Sequence, residues 1–304
     1  MQRLMPDSVC SVPERPLQQM FSKSWIFSSL ALIASVFALA VWSRAQPSRV
    51  PMADATVVGL AAPVPTNDIS IRMWRLSAPD RRFGGLSALV TDDGELLGLT
   101  DSGVVVRFEP PATRGRHVEF RLHDLPDGPG SEARKRGRDS EALLADPAGR
   151  GWWVAFENEH SLWRYDERFE RVLEVERLER DWPSNRGAEA LVATSGGRVR
   201  ALPEGGNDVV PAGTSDATRL ADGRLALLVR RFGWRGFVNE VRIAGGSGRA
   251  PLTLSLPLGP LDNGEAITAA LLPDGGTRLW IMTDDNFRPW MRTLLVALDL
   301  PPDS

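Results

Sequence analysis

Ser87-Ala-Leu-Val-Thr-Asp-Asp-Gly-Glu-Leu-Leu-Gly-Leu-Thr-Asp101 sets two apolar runs either side of Asp-Asp-Gly. Asp and Gly tolerate positive φ, so the stretch reads as a β-hairpin with a tight turn. Four later segments share this grammar. Glu141 leads through Asp146-Pro-Ala-Gly149 to Glu157, and Glu189 leads through Ser195-Gly-Gly197 to Glu204. Asp216 leads through Ala221-Asp-Gly223 to Arg230, and Glu265 leads through Pro273-Asp-Gly-Gly276 to Asp284. Both strands of each hairpin are apolar at nearly every position, which suits strands buried on both faces. Repetition of one unit implies an all-β array, and a β-propeller of about six blades accommodates it; a β-sandwich is the structural alternative. Ile69–Leu76 is expected to share a blade with Thr293–Leu300 and close the ring.

The charges follow from hairpin geometry. The first residue of strand one and the last of strand two lie at the same end, away from the turn. These positions are Ser87 and Asp101, Glu141 and Glu157, Glu189 and Glu204, Asp216 and Arg230, and Glu265 and Asp284. Arranged radially, they converge on one mouth of a central channel. Crowded carboxylates repel one another and lose hydration, so a cation or a basic ligand group is expected to compensate. Asp139, Asn185, Asp262, Asn263, Asp285 and Asn286 add oxygen donors of the kind that suits Ca²⁺. The bland alternative is a set of strand-end charges in water.

Composition limits the rest. The 304 residues carry a net charge of −3. Residues 1–45 hold four basic and two acidic residues, so the remainder carries −5. That balance argues against a nucleic-acid partner. Residues 25–42, WIFSSLALIASVFALAVW, contain no charge and follow Arg3, Arg15 and Lys23. With Ser43-Arg44-Ala45 behind them they read as an export signal cut after Ala45, or as an uncleaved anchor. The expected location is exported, either periplasmic or anchored on the outer side of the cytoplasmic membrane, with attachment through residues 25–42. Residues 46–67 read as a linker and 68–304 as the folded domain. Cys10, the sole cysteine, precedes the apolar run. The exported part therefore has no disulfide, thiol nucleophile or Cys-type zinc site.

The same segments resemble the family described as esterase-like activity of phytase. The matching stretches are Arg82-Phe-Gly-Gly-Leu-Ser87, Asp101-Ser-Gly103, Asp139-Ser-Glu-Ala-Leu143, Asn185-Arg-Gly-Ala-Glu-Ala-Leu191, Leu220-Ala-Asp-Gly-Arg224, Asp262-Asn-Gly-Glu265, and Thr283-Asp-Asp-Asn-Phe287 with Thr293-Leu-Leu295. They run in the family's order over residues 69–300. The resemblance implies a propeller fold, an exported location and a phosphatase- or esterase-like activity. The chain departs from the pattern where Val229 precedes Arg230, and where Glu-Ala replaces Glu-Gly at Glu141, Glu189 and Glu265.

No Gly-x-Ser-x-Gly elbow or phosphate-cradling Gly-Lys-Ser/Thr loop is present, and none of the three histidines falls in a repeat. Metal-assisted hydrolysis of a small anionic or ester substrate is the chemistry the residues favour. Glu141, Glu189, Glu265 and Arg230 are the candidate catalytic residues. Arg138, Arg186 and Asn286 are the candidate substrate contacts. Asp101, Asp139, Glu157, Asp262, Asp284 and Asp285 are the candidate ligands for Ca²⁺. The basic loop Ser131-Glu-Ala-Arg-Lys-Arg-Gly-Arg138 would steer anions to the mouth. Trp152, Trp153, Trp163 and Trp280 are expected in the core, and Trp234 and Trp290 in loops near the mouth. The chain is expected to be a monomer. A non-catalytic envelope propeller that binds a ligand or protein is the functional alternative.

Overall fold

The computed structural model describes residues 52–57, 69–111, 117–129, 138–178, 187–203, 210–246 and 248–302. No helix occurs among them, and the strands form five sheets. Blade 1 is Leu86–Asp92, Glu95–Thr100, Val104–Phe108 and Arg121–Asp124. Blade 2 is Ser140–Ala145, Trp152–Phe156, Ser161–Tyr165 and Val172–Arg177. Blade 3 is the hairpin Ala188–Ala193 with Val199–Pro203. Blade 4 is Thr214–Arg219, Leu225–Gly233, Gly236–Ile243 and Leu252–Ser255. Blade 5 starts with Asn263–Leu271, Thr277–Asp284 and Thr293–Leu300, then takes Ser70–Ser77, Met52–Val57 and His117–Glu119 from earlier in the chain.

The first strand of each blade lies against the first strand of the next, and blade 5 returns to blade 1, so the sheets form a β-propeller. Five sheets, one of them a two-stranded hairpin, stand where about six blades were expected. Closure comes from antiparallel pairing of Ser70–Ser77 with Thr293–Leu300, in the register Ile71 to Leu298 and Leu76 to Thr293. The stretch read as a linker is not all linker. Met52–Val57 pairs with Ser70–Ser77 on one side and His117–Glu119 on the other, extending blade 5. Residues 25–42, read as an export signal or anchor, lie outside the described residues. No helix among the described residues is long and apolar enough to cross a membrane.

Hydrophobic packing follows the ring. Five apolar clusters occur among the described residues, each spanning two consecutive blades. Leu97 and Leu99 of blade 1 meet Leu143, Val154 and Phe156 of blade 2. Leu86 and Leu96 of blade 1 meet Trp280 and Met282 of blade 5. Strands apolar on both faces are thus used on both faces. Trp152, Trp153 and Trp280 are buried and Trp163 is half-buried, while Trp234 and Trp290 are exposed. Asp93 and Gly94 both have positive φ and form the tight turn expected between the first two strands of blade 1.

Ala88, Ala142, Ala190 and Ala266 occupy equivalent places on four inner strands and pack into the interface with the following blade. Inner strands converge towards the axis, so only a small side chain fits there. Blade 4 puts Asp216 at this place. Its Oδ2 accepts a bond from the Ile267 backbone N–H on blade 5 at 2.7 Å. Removing that acceptor strands a buried donor, which costs about 1–3 kcal/mol. Asp216→Ala is therefore expected to lower the urea midpoint, although alanine is the residue of the other four blades. Asp216→Asn keeps an acceptor and is expected to lose less.

Candidate active site at the channel mouth

In every blade the pairing of the first two strands slips by one residue at the same place. The slips fall between Leu86 and Ala88, Ser140 and Ala142, Ala188 and Ala190, Thr214 and Asp216, and Gly264 and Ala266. The extra residues are Ser87, Glu141, Glu189, Ser215 and Glu265. A β-bulge sets two residues against one and re-aims the side chain of the added one. The ring of bulge residues is therefore three glutamates and two serines. Asp216, read as the first residue of its hairpin, lies one place further along, and Ser215 takes the ring position.

The serines tie blades together. Ser87 Oγ donates to the Ser140 carbonyl at 2.6 Å, and Ser215 Oγ donates to the Gly264 carbonyl at 2.8 Å. Each acceptor immediately precedes a bulge glutamate of the next blade. Across the hairpins, Asp101 N–H bonds Gly85 O at 2.7 Å, Glu157 N–H bonds Asp139 O at 2.9 Å, and Arg230 N–H bonds Gly213 O at 2.7 Å. Asp284 pairs with Asn263 at the matching place. Asp101, Glu157, Arg230 and Asp284 thus stand at equivalent strand ends beside the bulges.

Electrostatics shows how close these groups are. Glu141 is held well above the usual carboxylate range, first by burial and then by repulsion from Glu189, Asp139, Glu265 and Glu157. Asp284 is pushed up to about 8 by burial, against a backbone bond from Asn286, with repulsion from Glu265, Asp101 and Asp285 adding to the rise. Carboxylates of four blades therefore share one mouth. A basic group stands among them: Arg230 Nη1 donates to Asn263 Oδ1 at 2.7 Å and to the Glu265 carboxylate. Asn263 Nδ2 also donates to Glu265, so that carboxylate is held from two sides.

Asp139, Glu141 and Glu157 each offer a carboxylate oxygen, and the three oxygens lie within 4.8 Å of one another. Asn158 Nδ2 fixes Asp139 Oδ2 at 3.0 Å. A Cβ on Gly187 would come within 2.7 Å of Glu157 Cα, so the chain entering blade 3 needs glycine here to pack against this cluster. An all-oxygen set of carboxylates fits a hard cation such as Ca²⁺.

Other candidates serve elsewhere. Asp285 Oδ1 accepts from Gly85 N–H at 3.1 Å and Phe287 N–H at 3.0 Å, and its Oδ2 accepts from Thr293 Oγ1 at 3.1 Å. It anchors the loop after Asp284 to blade 1. Asp262 is buried and engaged by the fork of Arg292, with Nε at 2.9 Å from Oδ1, and by Gly259 N–H at 2.6 Å. Arg292 neutralises it, so it is a clamp between loops rather than a spare metal ligand. Arg138 is buried, and its Nη1 donates to the Leu125 carbonyl at 3.1 Å. Burial turns it into a support for the 125–128 segment instead of a substrate contact. Asn286 is exposed with φ of 49°, and its N–H caps Asp284. Its backbone serves the turn. Arg186, Asn185, Glu204 and residues 131–137 of the basic loop lie outside the described residues.

The sequence pattern marks Asn263 among the oxygen donors at the mouth and gives no such place to Asn158. Asn263 takes in blade 5 the place that Asp139 takes in blade 2, which the spacing Asp-Asn-Gly-Glu against Asp-Ser-Glu already contained. Asn158 left no such signal, because it stands in a turn with no counterpart in the other hairpins.

Fold and site together define a β-propeller with an acidic mouth. A family model, Phytase-like: Esterase-like activity of phytase, matches residues 81–214, so the resemblance read from the motifs holds over that span. No curated protein matches the chain. Among solved structures, the chain is similar to a hydrazine synthase of Kuenenia stuttgartiensis at 13% identity and a TM-score of 0.34, covering 77% of this chain and 61% of that one. It is also similar to the Neurospora crassa Pan2 WD40 domain, at 11% identity and a TM-score of 0.38, covering 83% and 96%. A chain of a nidogen/laminin complex aligns at 11% identity and a TM-score of 0.38, covering 84% and 100%. The chain thus spans less than two thirds of the hydrazine synthase chain it matches.

The raised carboxyls fix a pH dependence. A carboxyl that keeps its proton in the folded state and loses it in the unfolded state makes stability fall as pH rises. For Asp284 the window runs from the ordinary 3.8 to about 8. In chelator, the thermal midpoint is expected to fall across this range, and Asp284→Asn is expected to flatten the fall. A midpoint that rises steadily from pH 4 to pH 8 would contradict the shared-mouth electrostatics.

Proposed function

We propose that the protein is an exported hydrolase of phosphoesters or esters that works at the acidic mouth with Ca²⁺. The observation that carries the reading is the oxygen cluster of Asp139, Glu141 and Glu157 beside Glu189, Glu265, Asp284 and Arg230. The match of residues 81–214 to the phytase-like model supports hydrolase-like chemistry. The thiol-free sequence after the apolar run 25–42 supports the exported location.

Asp139, Glu141 and Glu157 would hold the cation, with Asp101 close to the same mouth. When bound, Ca²⁺ supplies positive charge that offsets the crowded carboxylates and attracts an anionic substrate oxygen. The remaining work falls to the chain. Arg230, oriented by Asn263 and Glu265, presents a forked donor to a phosphoryl or carbonyl oxygen. Glu189, on the bulge of blade 3, accepts the proton of the attacking water. Asp284, protonated near neutral pH, gives its proton to the departing oxygen. Burial at the mouth excludes bulk water and strengthens each of these interactions.

Calorimetric titration of Ca²⁺ should give saturable binding. Glu141→Gln should weaken it by about tenfold or more, the loss typical of disturbed ligand shells. Glu189→Gln should weaken it less and abolish turnover, with an unchanged thermal midpoint in chelator. A panel of phosphomonoesters and carboxylic esters, assayed with Ca²⁺ and with chelator, identifies the bond cleaved. Absence of both Ca²⁺ binding and hydrolysis would replace this reading with a non-catalytic envelope propeller.

A further inference from the structure

Three loops at the mouth end of blades 4 and 5 carry side chains that neither the core nor the site uses. The second and third strands of blade 4 continue past Arg230 to a tip at Gly233 and Gly236. Along this projection Phe232 is 75% exposed, and at its tip Trp234 is 88% exposed. Arg235 lies over the Trp234 ring at 4.4 Å, and Phe232 contacts Phe237 at 4.9 Å. In the loop after Asp284, Trp290 is 59% exposed and Arg288 lies over its ring at 5.6 Å. The loop before Asn263 exposes Leu261.

These loops form one rim. Phe237 N–H bonds the Pro260 carbonyl at 2.9 Å, and Arg292 grips Asp262. The blade 4 hairpin, the 256–262 loop and the 285–292 loop are therefore joined in series. Exposed tryptophans paired with arginines are the side chains favoured where water meets lipid. The indole fills the headgroup region, and the guanidinium pairs with phosphate. An ordinary soluble surface scatters its large apolar residues singly, as Leu271 stands here; Phe232, Trp234, Leu261 and Trp290, with the most exposed of them at the tips, are instead grouped on loops that project from one end.

A second, independent observation concerns where the chain enters the fold. Met52–Val57 runs antiparallel to Ser70–Ser77, with Asp54 opposite Ser77 and Val57 opposite Trp74. Ser70–Ser77 in turn sets Leu76 opposite Thr293, at the mouth end. Met52, the first described residue, is thus at the mouth end of blade 5, the blade that bears Trp290. Nine residues, 43–51, separate it from the uncharged run 25–42. Nine residues reach at most about 30 Å, so an anchor formed by 25–42 would tether Met52 within that length of chain.

We infer that the rim of blades 4 and 5 docks on the surface of a phospholipid bilayer, with Trp234 and Trp290 at headgroup depth and the acidic mouth turned towards the lipid. The inference does not depend on catalysis or on a bound cation. It implies that a substrate reaches the mouth along the membrane surface.

The test uses the full chain carrying Cys10→Ser, so that one introduced thiol is unique. Trp234→Cys, Trp290→Cys and Leu271→Cys are each labelled with an environment-sensitive fluorophore and reconstituted in phosphatidylcholine vesicles. Leu271 is 67% exposed and lies at the opposite, hairpin-turn end of blade 5. The labels at 234 and 290 should shift to the blue and be quenched by a headgroup-depth lipid quencher, while the label at 271 keeps its aqueous spectrum. Equal spectra at all three sites would overturn the docking. A shift at 234 and 290 that tracks protein concentration and ignores the lipid quencher would overturn it in favour of self-association. Because the readout is spectral, loss of hydrolysis in the same samples would bear on the proposed activity alone.

Discussion

Everything at the mouth depends on the pairing of Ser70–Ser77 with Thr293–Leu300. A propeller blade cannot bury its two faces alone; each needs a neighbour on either side. An open array would leave one face of the first and last sheets in water, and the inner strands would splay. Joining the two chain ends within blade 5 makes the ring finite. It also fixes the radius at which five inner strands meet. That radius buries Glu141 and Asp284, which raises both, and brings carboxylates from separate blades close enough to add to the rise.

The mouth is therefore a place where the fold works against itself and compensates locally. Glu265 is balanced by Arg230 and Asn263. Asp284 and Asp285 accept backbone N–H groups from their own turn and from blade 1. The two ring positions occupied by serine carry no charge and instead bond the neighbouring blade. Burial and the surrounding carboxylates instead favour the protonated form of Glu141. A group kept neutral by its surroundings, set among anions, is poised to ionise when a cation arrives.

Much of this was legible in the chain. Hairpins with apolar runs on both sides of Gly turns forced strands buried on both faces, and the shared strand ends put the acids at one end. The bulges were not legible, because a one-residue slip leaves the apolar pattern intact. For that reason the apolar pattern points to Asp216 as the ring residue, where the bulge sets Ser215. The blade count was not legible either. Five Gly-centred hairpins matched five inner pairs, but outer strands such as Val172–Arg177 are short, half polar and separated by variable loops. Arg138 and Asp262 looked like site residues because they adjoin acidic motifs. Only packing revealed that one supports a loop and the other is already neutralised. Met52–Val57 was hidden by its surroundings of Pro and Ala.

One contact ties distant parts of the sequence together. Gly85 sits at φ of +61°, and a Cβ there would stand 2.3 Å from the Phe287 ring and 2.9 Å from Asp101 Oδ1. Phe287 itself holds an unusual φ of 52° so that its ring can cover this glycine. Neither residue can drift on its own. A larger residue at 85 demands a smaller one at 287, and a flatter turn at 287 removes the cover from 85. Residues two hundred apart are thus bound in epistasis, and homologous chains should exchange the two together or keep both. Mutational paths through this corner of the mouth are narrow, because a side chain at 85 meets the Phe287 ring and Asp101 Oδ1 together, whereas the Gly94 turn is constrained by its φ of +86° alone, with open space around it.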